Sequence, residues 1–460
     1  MLTAFGNTLR IPELRQRILF TIGLIFICRL ISLVPTPGVD WQILQAELDR
    51  IRESTEAGGG LMGMFDIFSG GAISRCSVGF LSIWPYISAS IILQLMTAVV
   101  PTLERMVREG EPGRVRLNQY TRYLTLLICA FQGYFLAVAL ERPGIFGLGN
   151  VRLVTMSSFA FRVLTVLTMT TATMLLMWLG DQITARGVGN GISIVIMVNI
   201  TSRLPIALLE VYDRYFSAEA THGVFELAVL LLLGFLVVAG TVMLTQGIRK
   251  IPIHTARRTV GAKVYGGQNT YMPLRVNFGG VMPIIFAGPL IQFPAAALTR
   301  IDAERFPWLG WLKWFGGQLT DMSSTLHIAV YIVLILFFSF FWVATQFNAM
   351  QIADDLKRNG AYVPGIRPGR ATAEHLDHTM TRVTLIGGIG LVAIATLPQL
   401  LRGQLQIPWE LSTFFGGTSL LIIVGVALDT LRQMESFLLM RHYDGFLKHG
   451  RIRGRATPAR

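Results

Sequence analysis

The sequence predicts an all-α membrane protein with many transmembrane helices. Of its 460 residues, 52% are hydrophobic and 15% are charged, and the mean hydropathy is +0.54, which excludes an ordinary soluble globular chain. A helix needs about 20 apolar residues to cross the bilayer core, and ten stretches approach that length. Backbone polar groups in lipid must be bonded internally, and a β-barrel would show short alternating segments, so these stretches are predicted to be helices.

The ten predicted spans follow one another along the chain, and the fifth and tenth should extend into their flanks. They are Ile18–Val34, Cys76–Val100, Tyr123–Leu140, Val154–Leu179, Gly191–Leu204, Phe225–Thr245, Phe278–Leu298, Ile328–Thr345, Val383–Leu397 and Thr418–Leu431. The first span is expected to be retained, since it follows a charged lead and lacks a small-residue cleavage site.

Loop charges predict which side of the membrane each loop faces, because Lys and Arg accumulate on the cytoplasmic side. The loop 247–276 carries six basic and no acidic residues, so it is predicted to be cytoplasmic. Alternation then places the N-terminal tail 1–17, the loop 346–382 and the C-terminal tail 441–460 on the same side. Both termini are therefore expected in the cytoplasm.

Five spans in each half imply that the second half, 221–440, is inverted relative to the first half, 18–220. Inverted halves that meet at a central axis are a common way to build a path through a membrane. The similarity between the halves is too weak to establish a repeat from this chain alone.

Ionisable residues within the spans are few, and each is explained by snorkelling or pairing. They are Arg29, Arg162, Asp181 and Asp429. An ion-coupled transporter would need a carboxylate or histidine near the midplane, and an intramembrane enzyme would need a Ser/Lys pair, paired Asp or HExxH. Neither pattern is present in the spans, so both classes are disfavoured.

Neither a metal site nor a cofactor site is predicted. The cysteines at 28, 76 and 129 have no paired spacing and are expected to be packing residues. His375 and His378 have no third ligand nearby. The motif GVGNGIS, at 187–193, lacks a preceding strand and the full nucleotide-loop spacing, so it is predicted to be a tight turn that brings span 5 close to its neighbours.

Glycines at 58–60 and 70–71 bracket a short apolar stretch, Leu61–Phe68. The stretch is too short to cross the membrane and too apolar to lie in water. A re-entrant segment is tolerated only where protein shields it or it lines a cavity. The two interpretations that remain are a cavity on the outer side and a segment that lies in the lipid interface.

The loop GAYVPGIRPGRAT, Gly360–Thr372, is stiff and basic. Its prolines at 364 and 368 fix φ, and its glycines at 365 and 369 permit tight turns. This pattern can hold the guanidinium of Arg367 outward for bidentate binding to a phosphate or carboxylate. From the residues alone, a plain surface turn that follows the loop charge bias is the other interpretation.

Eight motifs in order along the chain resemble the SecY family, the pore-forming subunits of the bacterial protein-conducting channel. They are MFDIFSGGAISR, WPYISASIILQLM, EGEPGRVRLNQYTRY, MWLGDQITARGVGNGISI, MPLRVNFGGVMPIIF, ADDLKRNGAYVPGIRPGRAT, FGGTSLLIIVGVALD and RHYDGFLKHGRIRGR. The resemblance implies ten transmembrane helices in two inverted halves around an hourglass pore, with a re-entrant plug at 61–74. The loop 300–326 and the tail beyond Arg455 match no family motif.

The resemblance assigns roles to residues that the pattern alone leaves as ordinary packing or helix-pairing residues. The implied pore ring is Ile83, Ile87, Ile192, Ile196, Ile285 and Ile422, and the pairs four apart in spans 2 and 5 each share a helix face. The implied plug includes Leu61, Met64, Phe65, Ile67, Phe68, Ser69, Gly70 and Gly71. The implied polar part of a lateral gate is Gln94 and Asn277, which otherwise indicate helix-to-helix hydrogen bonding.

The resemblance also implies a passive channel, without chemistry on its substrate, in the bacterial inner membrane. Secretory chains would cross it, and transmembrane segments would leave sideways into lipid. The implied docking residues for the motor ATPase SecA or the ribosome are Arg257, Arg258, Arg367 and Arg370. Other implied partners are the SecE and SecG subunits, signal peptides and nascent chains; the net charge of +13 also suits anionic lipids.

Overall fold

The computed structural model of the chain describes residues 11–40, 42–43, 69–72, 75–142, 153–202, 204–216, 224–255, 258–260, 263–265, 269–299, 309–321, 324–405 and 417–449. Among them, six helices are long and apolar enough to cross a membrane, or seven if one bent pair is counted as a single span. The predicted all-α polytopic class is therefore confirmed. The number of ten spans stays a prediction.

The first half is built from seven helices in the described part of the chain. They are α1 (Pro12–Ile31), α2 (Trp84–Val99), α3 (Pro101–Arg108), α4 (Glu111–Glu141), α5 (Ser158–Arg186), α6 (Gly191–Thr201) and α7 (Leu204–Phe216). A proline stands in the first turn of each of the first four, where no backbone N–H is needed.

Span 2 differs from its predicted bounds at both ends. Its helix begins at Trp84 instead of Cys76, because residues 75–83 form turns in which Cys76 and Ser82 adopt positive φ of 45° and 50°. At its other end α2 bends by 101° into α3, where Pro101 removes a helical hydrogen-bond donor.

The second half contains seven further helices within the described residues. They are α8 (Val224–Gln246), α9 (Met282–Thr299), α10 (Gly310–Thr320), α11 (Thr325–Gln346), α12 (Ala349–Arg358), α13 (Arg370–Leu405) and α14 (Gly417–His449). α10 lies in the loop 300–326, for which the sequence suggests no role, and packs closely on α9. An added Cβ at Gly316 of α10 would lie 2.6 Å from Cβ of Leu298, so the close approach depends on glycine.

The loops outside the spans contain a small β-structure that the sequence analysis does not predict. Its strands are β1 (Ile248–Thr255), β2 (Arg258–Val260), β3 (Lys263–Tyr265), β4 (Asn269–Arg275) and β5 (Ala361–Tyr362). β4, β1 and β5 form an antiparallel sheet in that order, with Ile251 opposite Met272 and His254 opposite Tyr362. β5 belongs to the loop 346–382, so the sheet joins that loop to the loop 247–276.

Three of the four ionisable residues that the sequence places in or near the spans form ion pairs in the structure. The Arg162 guanidinium donates to the Glu141 carboxylate at 2.5–3.1 Å and ties α5 to α4. Arg122 pairs with Asp181 at 2.6 Å, and Arg432 lies 3.9 Å from Asp429. The three cysteines are free and buried, as expected of packing residues.

Candidate functional site

Six isoleucines implied to form a ring, here called the waist isoleucines (Ile83, Ile87, Ile192, Ile196, Ile285 and Ile422), lie in two adjoining apolar clusters. Ile83 packs with Ile87 and Ile192 in the first cluster. Ile285 and Ile422 pack with Ile196 in the second. Val426 of α14 belongs to both clusters, so the six side chains form one continuous apolar region drawn from α2, α6, α9, α14 and the turn before α2.

Three of the waist isoleucines are buried and three are partly buried. Ile83, Ile285 and Ile422 are 1%, 6% and 3% exposed, respectively, whereas Ile87, Ile192 and Ile196 are half-buried. Side chains that lined a wide, water-filled passage would be accessible to solvent. The three buried isoleucines are therefore packed against their neighbours in this structure.

Local hydrogen bonds fix the backbone that carries the waist isoleucines of α6 and of span 2. The Asn190 side chain caps α6 by accepting from the backbone N–H groups of Ile192 and Ser193 at 3.2 and 3.3 Å. In span 2, the Ile87 N–H donates to the Ile83 carbonyl at 3.1 Å, although Ile83 itself precedes the helix. Ile83 and Ile87 are thus linked by an i to i+4 hydrogen bond, and Ile192 and Ile196 lie four residues apart on α6.

Three further residues belong to this region, and the sequence analysis does not name them. Ile200 is fully buried in the second cluster, and Trp84 and Val426 pack against that cluster. Ile200 continues the four-residue spacing of Ile192 and Ile196, so helical periodicity alone could have identified it. The same spacing places Val426 four residues after Ile422, whereas nothing in the sequence pattern distinguishes Trp84.

The predicted plug falls mostly outside the described residues, including Leu61, Met64, Phe65, Ile67 and Phe68. The structure does describe Ser69, Gly70 and Gly71, and all three are buried. Gly70 and Gly71 adopt positive φ of 69° and 86°, which favours glycine at both positions. The Gly70 carbonyl accepts from the guanidinium of Arg29 on α1 at 3.3 Å.

The two amides implied to lie at a lateral gate do not bond to each other in the structure. Gln94 on α2 is exposed, and its backbone carbonyl accepts from the Thr97 hydroxyl at 2.6 Å. Asn277, between β4 and α9, is half-buried. The next residue, Phe278, makes an edge-to-face ring contact with Phe347, which follows α11, at 6.0 Å between centroids.

The loop that carries Arg367 has the turns that its sequence predicts. Gly360, Gly365 and Gly369 adopt φ of 67°, 81° and 104°. The Thr372 hydroxyl donates to the Arg367 carbonyl at 2.9 Å, which fixes the backbone while the side chain remains exposed. In the structure, the Arg367 side chain points outward from a loop of defined turns.

The arginines implied to dock a partner differ in their availability. Arg370 donates from Nε to the Glu374 carboxylate at 3.1 Å, whereas Arg367 forms no ion pair with any residue that the structure describes. Arg258 begins β2, and Arg257 lies outside the described residues. Of Arg367 and Arg370, Arg367 is the exposed cation without an ion pair to a described residue, so it can bind an external acid or phosphate.

A hydrophobic core supports this loop from below. Ile251 of β1, Leu274 of β4, Val363 and Leu376 are buried together, and the core extends to Val343 and Met380 at the ends of spans 8 and 9. We call this sheet and its core the loop platform. The loop platform connects the exposed arginine directly to transmembrane helices.

The fold and the site define a polytopic α-helical membrane protein with an apolar cluster between its halves and a basic loop platform at the ends of its helices. The SecY family model matches residues 77–431. The chain is 41% identical to a protein translocase subunit SecY of Thermotoga maritima over 99% of this chain and 100% of that one, and 40% identical to that of Streptomyces scabiei over 97% and 100%. The chain belongs to the SecY family.

Solved structures show the same fold at low identity. One described as a protein conducting channel has a TM-score of 0.60 at 14% identity, with 93% of each chain covered. Another, described as Sec61 in the canine ribosome-channel complex, has a TM-score of 0.54 at 14% identity and the same coverage. The family membership and translocation-channel function expected from the sequence are thus confirmed, and the family is non-enzymatic.

Proposed function

We propose that the waist isoleucines seal a passive path through which unfolded polypeptides cross the membrane. The observation that carries the proposal is the packing of buried isoleucines from both halves, on spans 2, 5, 7 and 10, into clusters that share Val426. An apolar constriction excludes water and ions by dewetting, yet it can deform around a passing chain. Such a path needs neither a catalytic residue nor a cofactor.

The segment 61–74 acts as a plug on the outer side of the waist isoleucines. Its described end, Ser69 to Gly71, is buried, which is consistent with a segment held inside the protein. One structure of the same fold is described as showing that the SecY plug domain stabilises the closed channel; its TM-score is 0.59 at 15% identity. That similarity supports the proposal by fold only.

The lateral gate is the seam at which spans 2 and 3 of the first half face spans 7 and 8 of the second half. Among the described residues, α2 and α4 do not pack extensively against α9 and α11, whereas α6 and α14 do pack together across the halves. Halves joined on one side can part on the other. The amides Gln94 and Asn277 lie at this seam, where interhelical hydrogen bonds of about 1 kcal/mol each are readily replaced. A signal peptide that inserts there shifts the population toward the open state.

The loop platform docks the motor SecA or the translating ribosome. Arg367 is exposed and presented by fixed turns, and Arg370, Arg257 and Arg258 belong to the same pair of loops. A guanidinium binds a phosphate of rRNA or a carboxylate of an acidic groove in bidentate fashion. The platform core then transmits the docked partner's force to spans 8 and 9.

The remaining assignments follow from the loop charges and the family. The chain lies in the bacterial inner membrane with both termini in the cytoplasm, since its basic loops alternate with acidic ones. The halves 18–220 and 221–440 are clamped by SecE and accompanied by SecG. The net charge of +13 attracts anionic lipid headgroups.

The test is SecA- and ATP-dependent import of a preprotein into vesicles that hold this chain with SecE, read by protease protection. We expect import by the wild type and a loss of about tenfold or more in the initial rate for Arg367→Glu, the factor that corresponds to about 1.4 kcal/mol of docking free energy.

The matched control is Arg358→Glu, which makes the same charge change on an exposed arginine of the same loop. Import should change less than twofold in this variant. Equal import by wild type and Arg367→Glu would remove the docking role and leave the channel in place. No import by the wild type, with SecE present and the protein folded, would contradict the channel itself.

A further inference from the structure

One arginine within predicted span 1 bonds to the backbone of the predicted plug. Arg29 lies in the last turn of α1. Its Nη1 and Nη2 atoms both lie 3.3 Å from the carbonyl oxygen of Gly70. The two residues are 41 positions apart, so the contact fixes the end of the plug to span 1.

The same guanidinium reaches span 5, and through it the start of span 2. Arg29 Nη1 donates to Asn199 Oδ1 at 3.4 Å, and Asn199 Nδ2 donates to Ser82 Oγ at 3.1 Å. Asn199 and Ser82 are buried. The half-buried Arg29 and the buried Gly70, Asn199 and Ser82 therefore form a hydrogen-bond chain, here called the polar latch.

The polar latch lies next to the waist isoleucines. Ser82 directly precedes Ile83, and Asn199 stands one helical turn beyond Ile196 on α6. α6 runs away from its start at Gly191, so Asn199 lies toward the side that the loop charges predict to be outer. A polar layer thus borders the apolar seal on the side where the plug is expected.

Gly70 is the residue that permits the latch. Its φ of 69° suits glycine, and an added Cβ would overlap the Arg29 guanidinium and lie 3.1 Å from Cα of Asn199. Any other residue at this position would displace the guanidinium from the carbonyl. The bond of Arg29 to Gly70 therefore depends on both partners.

Within the described part of the chain, the charge of Arg29 is held by neutral groups. Its hydrogen-bond partners there are the Gly70 carbonyl and the Asn199 amide, and it forms no ion pair with a described residue. A cation bound by dipoles is more easily released than one in a buried ion pair.

We propose that Arg29 is a positioning residue that holds the Gly70 end of the plug against spans 1, 2 and 5 in the closed channel, and that it releases the Gly70 carbonyl on opening. The proposal rests on the proposed function, since it assigns a holding residue to the predicted plug. It explains why a half-buried guanidinium lies beside an apolar seal.

The test uses purified channel with its SecE partner in vesicles, with ion leak in the absence of substrate and import of a normal preprotein as readouts. Arg29→Gln removes the cation and should raise the leak about fivefold or more while import continues. Asn199→Asp is nearly isosteric and places a negative charge beside Arg29. The new carboxylate can accept from both Arg29 and the Ser82 hydroxyl. Because it should hold Arg29 more strongly, this variant should lower the ion leak and lengthen the lag before import.

We expect the ion leak to rise in Arg29→Gln and to fall in Asn199→Asp. A merely structural role would instead impair the channel in both variants. The control is Arg142→Gln, which alters an exposed arginine at the end of α4 and should change neither readout. An unchanged leak in Arg29→Gln, in protein that imports normally, would overturn the latch. Failure of the wild type to import would instead contradict the proposed function.

A second measurement follows the plug directly. The three natural cysteines are replaced by alanine, and Ser69, which is buried, is replaced by cysteine. In the Ser69→Cys background, Arg29→Gln should increase the rate of labelling by a membrane-impermeant maleimide about tenfold. Arg29→Lys retains the charge and should increase that rate by a smaller factor. Equal labelling rates with and without Arg29 would overturn the proposal.

Discussion

The imidazole ring of His254 on β1 lies 6.1 Å from the phenol ring of Tyr362 on β5, and the two residues are opposite each other in the antiparallel sheet. This pairing joins two loops that are about 100 residues apart in sequence. The buried core beneath them includes Leu376, which is fully buried on α13. The two predicted docking loops therefore form one folded unit.

The first prediction concerns this unit. Leu376→Ala leaves Arg367 intact but should destabilise the loop platform by about 2–5 kcal/mol, the usual effect of a large-to-small core substitution. Hydrogen exchange of the backbone amides in 248–255 should become faster, and SecA-driven import should fall. Both effects should appear together, because the arginine is useful only when its support is rigid.

Leu385→Ala is the control for this substitution. Leu385 lies on the same helix but is 45% exposed, so its truncation should leave exchange and import nearly unchanged. Normal import by Leu376→Ala despite faster exchange would show that docking does not need a rigid platform.

A second prediction concerns the waist. Ile422 is 3% exposed and packs with Ile285, so Ile422→Ala should leave a cavity at the seal and cost about 2–4 kcal/mol. Water entry should raise ion leak through vesicles several-fold. Ile422→Leu preserves volume and should change the leak far less. Equal ion leak in Ile422→Ala and Ile422→Leu would show that the side chain of Ile422 does not contribute to the seal.

A third prediction concerns the ion pair between Arg162 and Glu141. Three hydrogen bonds connect the groups and tie α5 to α4. Removal of one partner leaves the other without its counter-charge. Arg162→Gln alone should therefore lower the melting temperature more than Arg162→Gln combined with Glu141→Gln. Additive losses in this double-mutant cycle would mean that the two side chains stabilise the fold independently.

The sequence predicts those parts of the molecule whose signals are local. Apolar runs predict the spans, the Pro-Gly steps predict the turns around Arg367, and four-residue spacing places Ile192 and Ile196 on one face. The sheet is missed because β1 and β4 contain Pro252 and Pro273, and proline inside a run argues against a strand.

The polar latch is missed for a different reason. Arg29 and Asn199 are 170 positions apart, and no local period relates an arginine in one span to an amide in another. Snorkelling or pairing with an acid is the ordinary expectation for such an arginine. Only the packing of spans 1, 2 and 5 brings Arg29 to a carbonyl and an amide.

The last prediction concerns the turn before α6, where the sequence GVGNGIS is predicted to bring span 5 close to its neighbours. The geometry confirms this, since Gly189 has φ of 84° and an added Cβ at Gly191 would overlap the carbonyl oxygen of Gly180 on α5. The Gly191 N–H also donates to the Thr184 hydroxyl at 2.9 Å. The start of α6 is thus held against α5 by backbone contact.

Gly191→Ala should force α6 away from α5 and destabilise the fold by about 1–3 kcal/mol, as overpacking commonly does. Because Ile192 and Ile196 are on α6, the displacement should also loosen the waist, so ion leak should rise as the melting temperature falls. Gly23→Ala is the control: Gly23 lies within α1, and no heavy atom is within 4 Å of its added Cβ. Alanine there should be neutral or stabilising by up to about 1 kcal/mol. A lower melting temperature without added leak in Gly191→Ala would mean that the position of α6 does not control the seal.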